Sequence, residues 1–146
     1  MKKLNLGLCH ASAVALDDQG VLFIGPSGSG KSQAAFTCLT LGAKLIGDDQ
    51  VELRASDDVI LLMQPPHIAG MIELRGVGIL AAPTQSQARL ALVVDLNRQA
   101  STRLPEPKFV LINQHQIPIL AGAKLPNLAA TIRHILTYGF HPTTPN

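Results

Sequence analysis

The chain has 146 residues, a formal net charge of +2, aliphatic side chains in abundance, 3% aromatics and no Trp. That is one domain with room for one core. Its weak charge, the absence of a Lys/Arg run and the scarcity of rings speak against a polyanion-coating or base-stacking protein, so no nucleic-acid partner is expected. Cys9 and Cys38 stand outside any C-x-x-C spacing and are too few for a disulfide framework, which leaves two reduced thiols in an apolar interior. Met1-Lys2-Lys3 begins like a secretory leader, but Asn5, His10 and Asp17-Asp18 interrupt any apolar region behind it. No stretch approaches the roughly 20 apolar residues of a membrane span. A cytoplasmic chain without a membrane partner is the expectation.

In chain order, 11–16 and 21–24 flank the turn cluster Asp17-Asp18-Gln19-Gly20 and predict a hairpin. Gly25 to Gly30 is a glycine-rich loop. Residues 32–41 are good helix formers, and Gly42 stands where a helix-ending glycine belongs. A short strand over 44–46 delivers Gly47-Asp48-Asp49. Strands are predicted over 51–54 and 59–63 around the Ser56-Asp57-Asp58 turn, stopped by Gln64-Pro65-Pro66. The near-continuous apolar run 89–94 predicts a central strand. Residues 98–107 are polar and proline-bearing, hence a loop. A second hairpin is predicted from 109–112 and 117–120. Asn127 is the candidate N-cap of a last helix running to Tyr138 and ending at Gly139, with Leu128, Ile132, Ile135 and Leu136 on its apolar face. Residues 140–146 form an expected flexible tail. The class is α/β: a mixed sheet with flanking helices, one domain over 1–146, without internal repeat or linker.

Gly25-Pro26-Ser27-Gly28-Ser29-Gly30-Lys31-Ser32 completes G-x-x-x-x-G-K-[ST] between a predicted strand and a predicted helix, the context a P-loop requires. Glycines let backbone N–H groups close around phosphate oxygens, and the helix N-terminus adds positive potential. Lys31 reaches the terminal phosphates, and Ser32 is the hydroxyl ligand for Mg²⁺. A P-loop does not name its reaction. No Asn-Lys-x-Asp guanine reader accompanies it. Two acidic sites compete for the metal: Asp95, after the apolar run 90–94 in the usual Walker-B manner, and the pair Asp48-Asp49. Neighbouring strand residues point to opposite faces, so Asp48 and Asp49 are not expected to share one task.

Four segments together resemble the catalytic domain of the HPr kinase/phosphorylase family. They are His10, the P-loop 25–32, Leu45-Ile46-Gly47-Asp48-Asp49, and Pro65-Pro66 followed by Ile72-Glu73-Leu74-Arg75-Gly76-Val77-Gly78-Ile79. The last is similar to the family's own E-[IVL]-R-G-[LV]-G signature. The likeness spans nearly the whole chain and corresponds to the family's C-terminal part, in the manner of short members without the N-terminal domain. It implies a P-loop kinase fold and a Mg²⁺-dependent protein-serine kinase/phosphorylase of phosphotransferase-system regulation. Such an enzyme moves phosphate from ATP, or pyrophosphate, to a serine of the phosphocarrier HPr, and reverses this with inorganic phosphate. It implies Lys31 on the donor phosphates, Ser32, Glu73 and the acidic Asp48 around the metal, and Asp49 as the shared base and acid. His10 and Arg103 are implied as further active-site residues, Arg75 as a phosphate contact, and a homo-hexamer as the assembly. Where the family carries an acid directly after the P-loop serine, this chain has Gln33. Two other functions fit the same P-loop: a generic NTPase or small-molecule kinase using Asp95, and a non-catalytic nucleotide sensor.

Overall fold

Period-two alternation builds the sheet and gives it two buried faces. The computed structural model describes residues 2–67 and 69–142. β3 (Ser12–Leu16) and β4 (Gln19–Ile24) pair as an antiparallel hairpin whose turn holds Asp17 at φ +54°. Ala13, Ala15, Leu22 and Ile24 enter one core; Val14, Val21 and Phe23 enter the other, on the opposite face. Successive strand side chains point to opposite sides, so a strand buried on both faces reads as a continuous apolar run.

Ten strands form one sheet. Its main path begins with β1 (Lys2–Leu4), β11 (Lys108–Ile112), β12 (His115–Ala121) and β10 (Gln87–Asp95), and continues through β4 and β3 to β5 (Lys44–Gly47). β10 is central: it runs parallel to β4 and to β12, and the start of the same strand pairs antiparallel with β7 (Val59–Met63). From β7 a branch continues through β6 (Val51–Ser56) to β2 (Gly7–Cys9). Leu53, Ile60 and Leu62 of this branch close over the first core.

Two helices cover the second core. α1 (Lys31–Thr40) buries Ala35 and Cys38, and α2 (Leu128–Tyr138) buries Ala129 and Ile132. Leu128, Ile135 and Leu136 pack at that core's margin, while Arg133 and His134 are exposed, as the helical periodicity predicts. Gly42 and Gly139 end the helices at φ +98° and +75°. Asn127 is the N-cap by position but not by mechanism. Its backbone is left-handed, at φ +54°, and its side chain makes no capping bond. The left-handed backbone that Asn tolerates, not its side-chain oxygen, starts α2.

A second sheet is the two-stranded hairpin of β8 (Met71–Leu74) and β9 (Gly78–Ala81), turned through Gly76 at φ +81° with Val77 N–H donating to the Leu74 carbonyl at 3.1 Å. Ile72 and Leu74 are buried, and Met71 and Glu73 face out. Residues 98–107 form a loop, as expected. The expected tail is described only for 140–142, which are outside helix and strand; 143–146 lie outside the described residues. Among the described residues no helix is long and apolar enough to cross a membrane.

Candidate active site

The site grows out of one end of three adjacent strands. β4 runs straight into the P-loop. β3, antiparallel to β4, begins at that same end with Ser12 opposite Phe23. β5, antiparallel to β3, ends there with Gly47 opposite Ala13. Antiparallel pairing therefore sets Asp48 beside Ser12 and Asp49 beside His10. Gly47 is obligatory at this crossing, because a Cβ there would stand 2.3 Å from the Gln50 carbonyl oxygen.

The P-loop has its cradle shape. Gly25, Gly28 and Gly30 hold φ of +151°, +85° and +98°, and Ser29 N–H donates to the Pro26 carbonyl at 3.0 Å. Only glycine enters such conformations without strain. At Gly25 a Cβ would also lie 2.5 Å from Ser29 Oγ. Lys31 is 7% exposed as a residue, and its ammonium donates to the carbonyls of Gly25 at 2.7 Å and Pro26 at 3.1 Å. It thus lies along the loop whose phosphates it is expected to hold.

Asp48 joins three elements. Its Oδ1 accepts from Ser32 Oγ at 2.6 Å and from Ser12 Oγ at 2.9 Å, and its Oδ2 accepts the Glu73 backbone N–H at 3.0 Å. With both oxygens engaged, Asp48 stands behind Ser32 and not among the residues lining the cleft. Asp49 differs entirely. It holds φ +72°, its side chain is 70% exposed, and its Oδ1 pairs with His10 Nε2, itself 56% exposed. The two aspartates do face different ways, but both lie in the bend past the end of β5, so the left-handed backbone at Asp49 separates them and not the pleat of a strand. An exposed pair of this kind adds little to stability.

These groups converge on a cleft of about 280 Å³, lined by His10, Ser12, Ser27, Gly28, Gly30, Lys31, Ser32, Gln33, Asp49, Glu73, Leu74 and Arg75. Glu73 and Arg75 share its wall, and the Arg75 guanidinium reaches within 3.7 Å of the position a Gly28 Cβ would take. The donor set fits Mg²⁺. No group of three or more His, Cys, Asp or Glu side chains that could hold a metal gathers among the described residues. One hydroxyl and one outward carboxylate are what Mg²⁺ uses when phosphate oxygens and water complete its octahedron. Beneath the cleft, burial raises the Cys9 thiol pKa, with the Lys31 charge opposing the rise.

Two expected residues are elsewhere. Arg103 is exposed on the 98–107 loop and is not among the cleft residues. That loop leaves the end of β10 towards β11, on the other side of β4 from β5. Asp95 ends β10 in register with Ile24, the residue before the P-loop, yet it lines a different cavity of about 520 Å³ with Arg98, Phe109 and Phe140. Ser12 is the cleft residue that the sequence reading missed. The signal available was its spacing: in His10-Ala11-Ser12 the two polar residues fall on one face of an extended segment.

Known proteins resemble this chain in sequence and in fold. The sequence profile of the HPr Serine kinase C-terminal domain matches residues 5–135. The HPr kinase/phosphorylase of Geobacillus kaustophilus is 32% identical over 134 residues, covering 85% of this chain and 42% of that protein. HPr kinase/phosphorylase 1 of Oceanobacillus iheyensis is 38% identical over 95 residues, covering 60% of this chain and 31% of that protein. The chain thus spans less than half the length of these relatives. The solved Hpr(Ser) kinase/phosphatase from Coxiella burnetii superposes with a TM-score of 0.75 at 22% identity, covering 89% of this chain and 88% of that one, a likeness of fold. With the profile matched over nearly its whole length, this chain belongs to the HPr serine kinase C-terminal domain family.

Proposed function

We propose that the chain is a Mg²⁺-dependent protein-serine kinase/phosphorylase acting on HPr or an HPr-like phosphocarrier in the cytoplasm. The observation that carries this reading is the exposed Asp49–His10 pair at the mouth of the same cleft that Lys31 and Ser32 floor. A nucleotide-binding module needs the floor alone. An acceptor hydroxyl entering from solvent needs a carboxylate it can reach, and the exposed position of Asp49 on the cleft supports that role.

In the forward direction the P-loop N–H groups hold the phosphates of ATP, or of pyrophosphate, and Lys31 meets the terminal ones. Arg75, close to Gly28, closes the cleft on the same charge. Mg²⁺, held by Ser32 and Glu73, would supply charge neutralisation on the transferring group. Asp49 accepts the proton of the serine hydroxyl as the serine oxygen bonds to phosphorus and the bond to the donor's bridging oxygen breaks. His10 keeps the Asp49 carboxylate in position, and Asp48 orients Ser32 from behind. In reverse, an oxygen of inorganic phosphate attacks phosphoserine, Asp49 returns the proton to the serine oxygen, and pyrophosphate leaves. Arg103 has no part in this reading within one copy of the chain. The homo-hexamer implied by resemblance belongs to the same proposal.

The register of Asp95 beside Ile24 favours a second reading, a generic P-loop NTPase with Asp95 on the metal. Incubation with purified HPr, labelled ATP and Mg²⁺ separates the two. The expected result is phosphate on one HPr serine, removed again by inorganic phosphate with release of pyrophosphate. ATP hydrolysis without labelled HPr would establish the second reading instead.

A further inference from the structure

We propose that Ser12 is a positioning residue of the phosphoryl-transfer site: it holds Asp48 so that Ser32 turns its oxygen, not its proton, towards the cation. The inference rests on the P-loop reading above and concerns how the metal ligand is aimed.

Ser12 opens β3 and is 1% exposed, yet it contributes to the cleft lining beside Ser32. Its chain neighbours Ala11 and Ala13 are buried alanines, and Ala15 follows. An alanine would pack equally well at position 12, and burying a hydroxyl costs free energy unless it is hydrogen-bonded. The Ser12 hydroxyl is hydrogen-bonded, to Asp48 Oδ1.

A serine hydroxyl has one proton to give and two lone pairs to offer. Ser32 gives its proton to Asp48 at 2.6 Å, which leaves its lone pairs for a cation in the cleft. That arrangement lasts only while Asp48 keeps its orientation, and the terminal torsion of an aspartate is broad and roughly two-fold. Three donors narrow it: Ser12 from β3, Ser32 from α1 and the Glu73 N–H from β8. Ser32 and Glu73 also have ligand roles, so their own positions respond to the metal. Ser12 has no such role and supplies the fixed reference. Removing it leaves Asp48 held by the two groups whose geometry it should be setting.

The test uses the full chain with ADP and Mn²⁺, following free Mn²⁺ by electron paramagnetic resonance. Ser12→Ala should weaken Mn²⁺ binding by about 10–100-fold, the range for a partner that orients a metal ligand. ADP binding measured with the metal chelated should stay unchanged, and Ser12→Thr, which restores the hydroxyl, should return Mn²⁺ affinity to near the original. If Ser12→Ala does not fold, Ser12→Cys keeps the volume with a much weaker donor and should show the same weakening. Unchanged Mn²⁺ affinity with normal ADP binding would overturn the role of Ser12 and leave the P-loop reading standing. Parallel loss of ADP and Mn²⁺ would also overturn it, by showing general damage. Failure of the unaltered chain to bind ADP, with Lys31→Ala no different, would overturn the P-loop reading itself.

Discussion

Two strands of this molecule lead to aspartates beside the P-loop region, Asp48-Asp49 just past the end of β5 and Asp95 as the last residue of β10, and their surroundings differ. At the end of β5, Asp48 receives two hydroxyls and a backbone N–H, while Asp49 turns out into the cleft against His10. At the end of β10, the Asp95 side chain is 2% exposed. Its Oδ1 accepts the Asn97 N–H at 2.9 Å, and its Oδ2 lies 3.7 Å from Lys2 Nζ and 3.8 Å from Arg98 Nε. Asp95 thus closes its own turn and is balanced by cations from β1 and the following loop. By strand order Asp95 has the better claim to a Walker-B role, being on the strand parallel and adjacent to β4. Its side chain, however, lines a different cavity from the P-loop cleft. Topology brings a residue to a neighbourhood, and the next atom's partners decide its task.

The largest effect that tests this contrast belongs to Asp49→Asn. Amide for carboxylate keeps the shape and removes the proton acceptor, so transfer to HPr should fall about 10²–10⁴-fold with nucleotide affinity largely kept. Dephosphorylation of phospho-HPr should fall with it, since one group serves both directions. Full forward transfer in this variant, read by phosphoserine mapping, would break the contrast in favour of Asp95. Next in size is Asp95→Ala. It leaves the Asn97 N–H without its acceptor and two cations without their counter-charge, and about 1–3 kcal/mol should be lost in denaturant unfolding. Transfer by the folded fraction should stay within about twofold, since no transition-state contact goes with it. Smaller again is Gln33→Glu, which adds a charge next to Ser32. About 2 kcal/mol for a unit charge some 4 Å from a divalent cation in water, cut to roughly 1 kcal/mol by physiological salt, predicts a roughly fivefold lower Mg²⁺ half-saturation.

The effect that vanishes at neutral pH, and shows only in alkali, lies away from both aspartates. Burial pushes the Cys38 thiol up to about 12 from 9.0, so the folded chain keeps the proton that the unfolded chain releases. Its stabilising contribution is fully present below pH 9.0 and is lost as pH rises from there towards 12. Unfolding curves should show up to about a tenfold loss in the folding constant per pH unit in that window, absent in Cys38→Ala.

Much of this was legible in the sequence because short-range rules governed it. The hairpin of β3 and β4, helix α1 with Gly42, the central β10 and the amphipathic α2 follow from periodicity and turn residues. β1 and β2 did not declare themselves. Each has three residues and is defined by a distant partner, β11 or β6, that local pattern does not name. The P-loop and the Asp48-Asp49 step were legible as motifs. That Asp48 faces inward and Asp49 outward was legible only as a difference between them. Its direction depends on the φ of +72° at Asp49 and on which strand lies beside β5. Ser12 escaped because a serine among alanines has no motif; only the approach of β5 to β3 gives it a partner.

The β8–β9 hairpin that carries Glu73 has a further consequence. It is a sheet of its own, and isolated two-stranded hairpins are marginal in water. Behind it the chain is pinned to β5, where Leu45 N–H donates to the Pro83 carbonyl at 2.8 Å and Gln85 N–H to the Leu45 carbonyl at 3.0 Å. The buried Ile72 and Leu74 and the Glu73 N–H bond to Asp48 hold the hairpin down, but it lacks a flanking strand and is expected to open at a lower free energy than the ten-stranded sheet. Amide hydrogen exchange should therefore be faster in β8 and β9 than in β4 and β10. On the proposed function, that difference would give the cleft a movable wall at Glu73 and Arg75 over a fixed P-loop floor.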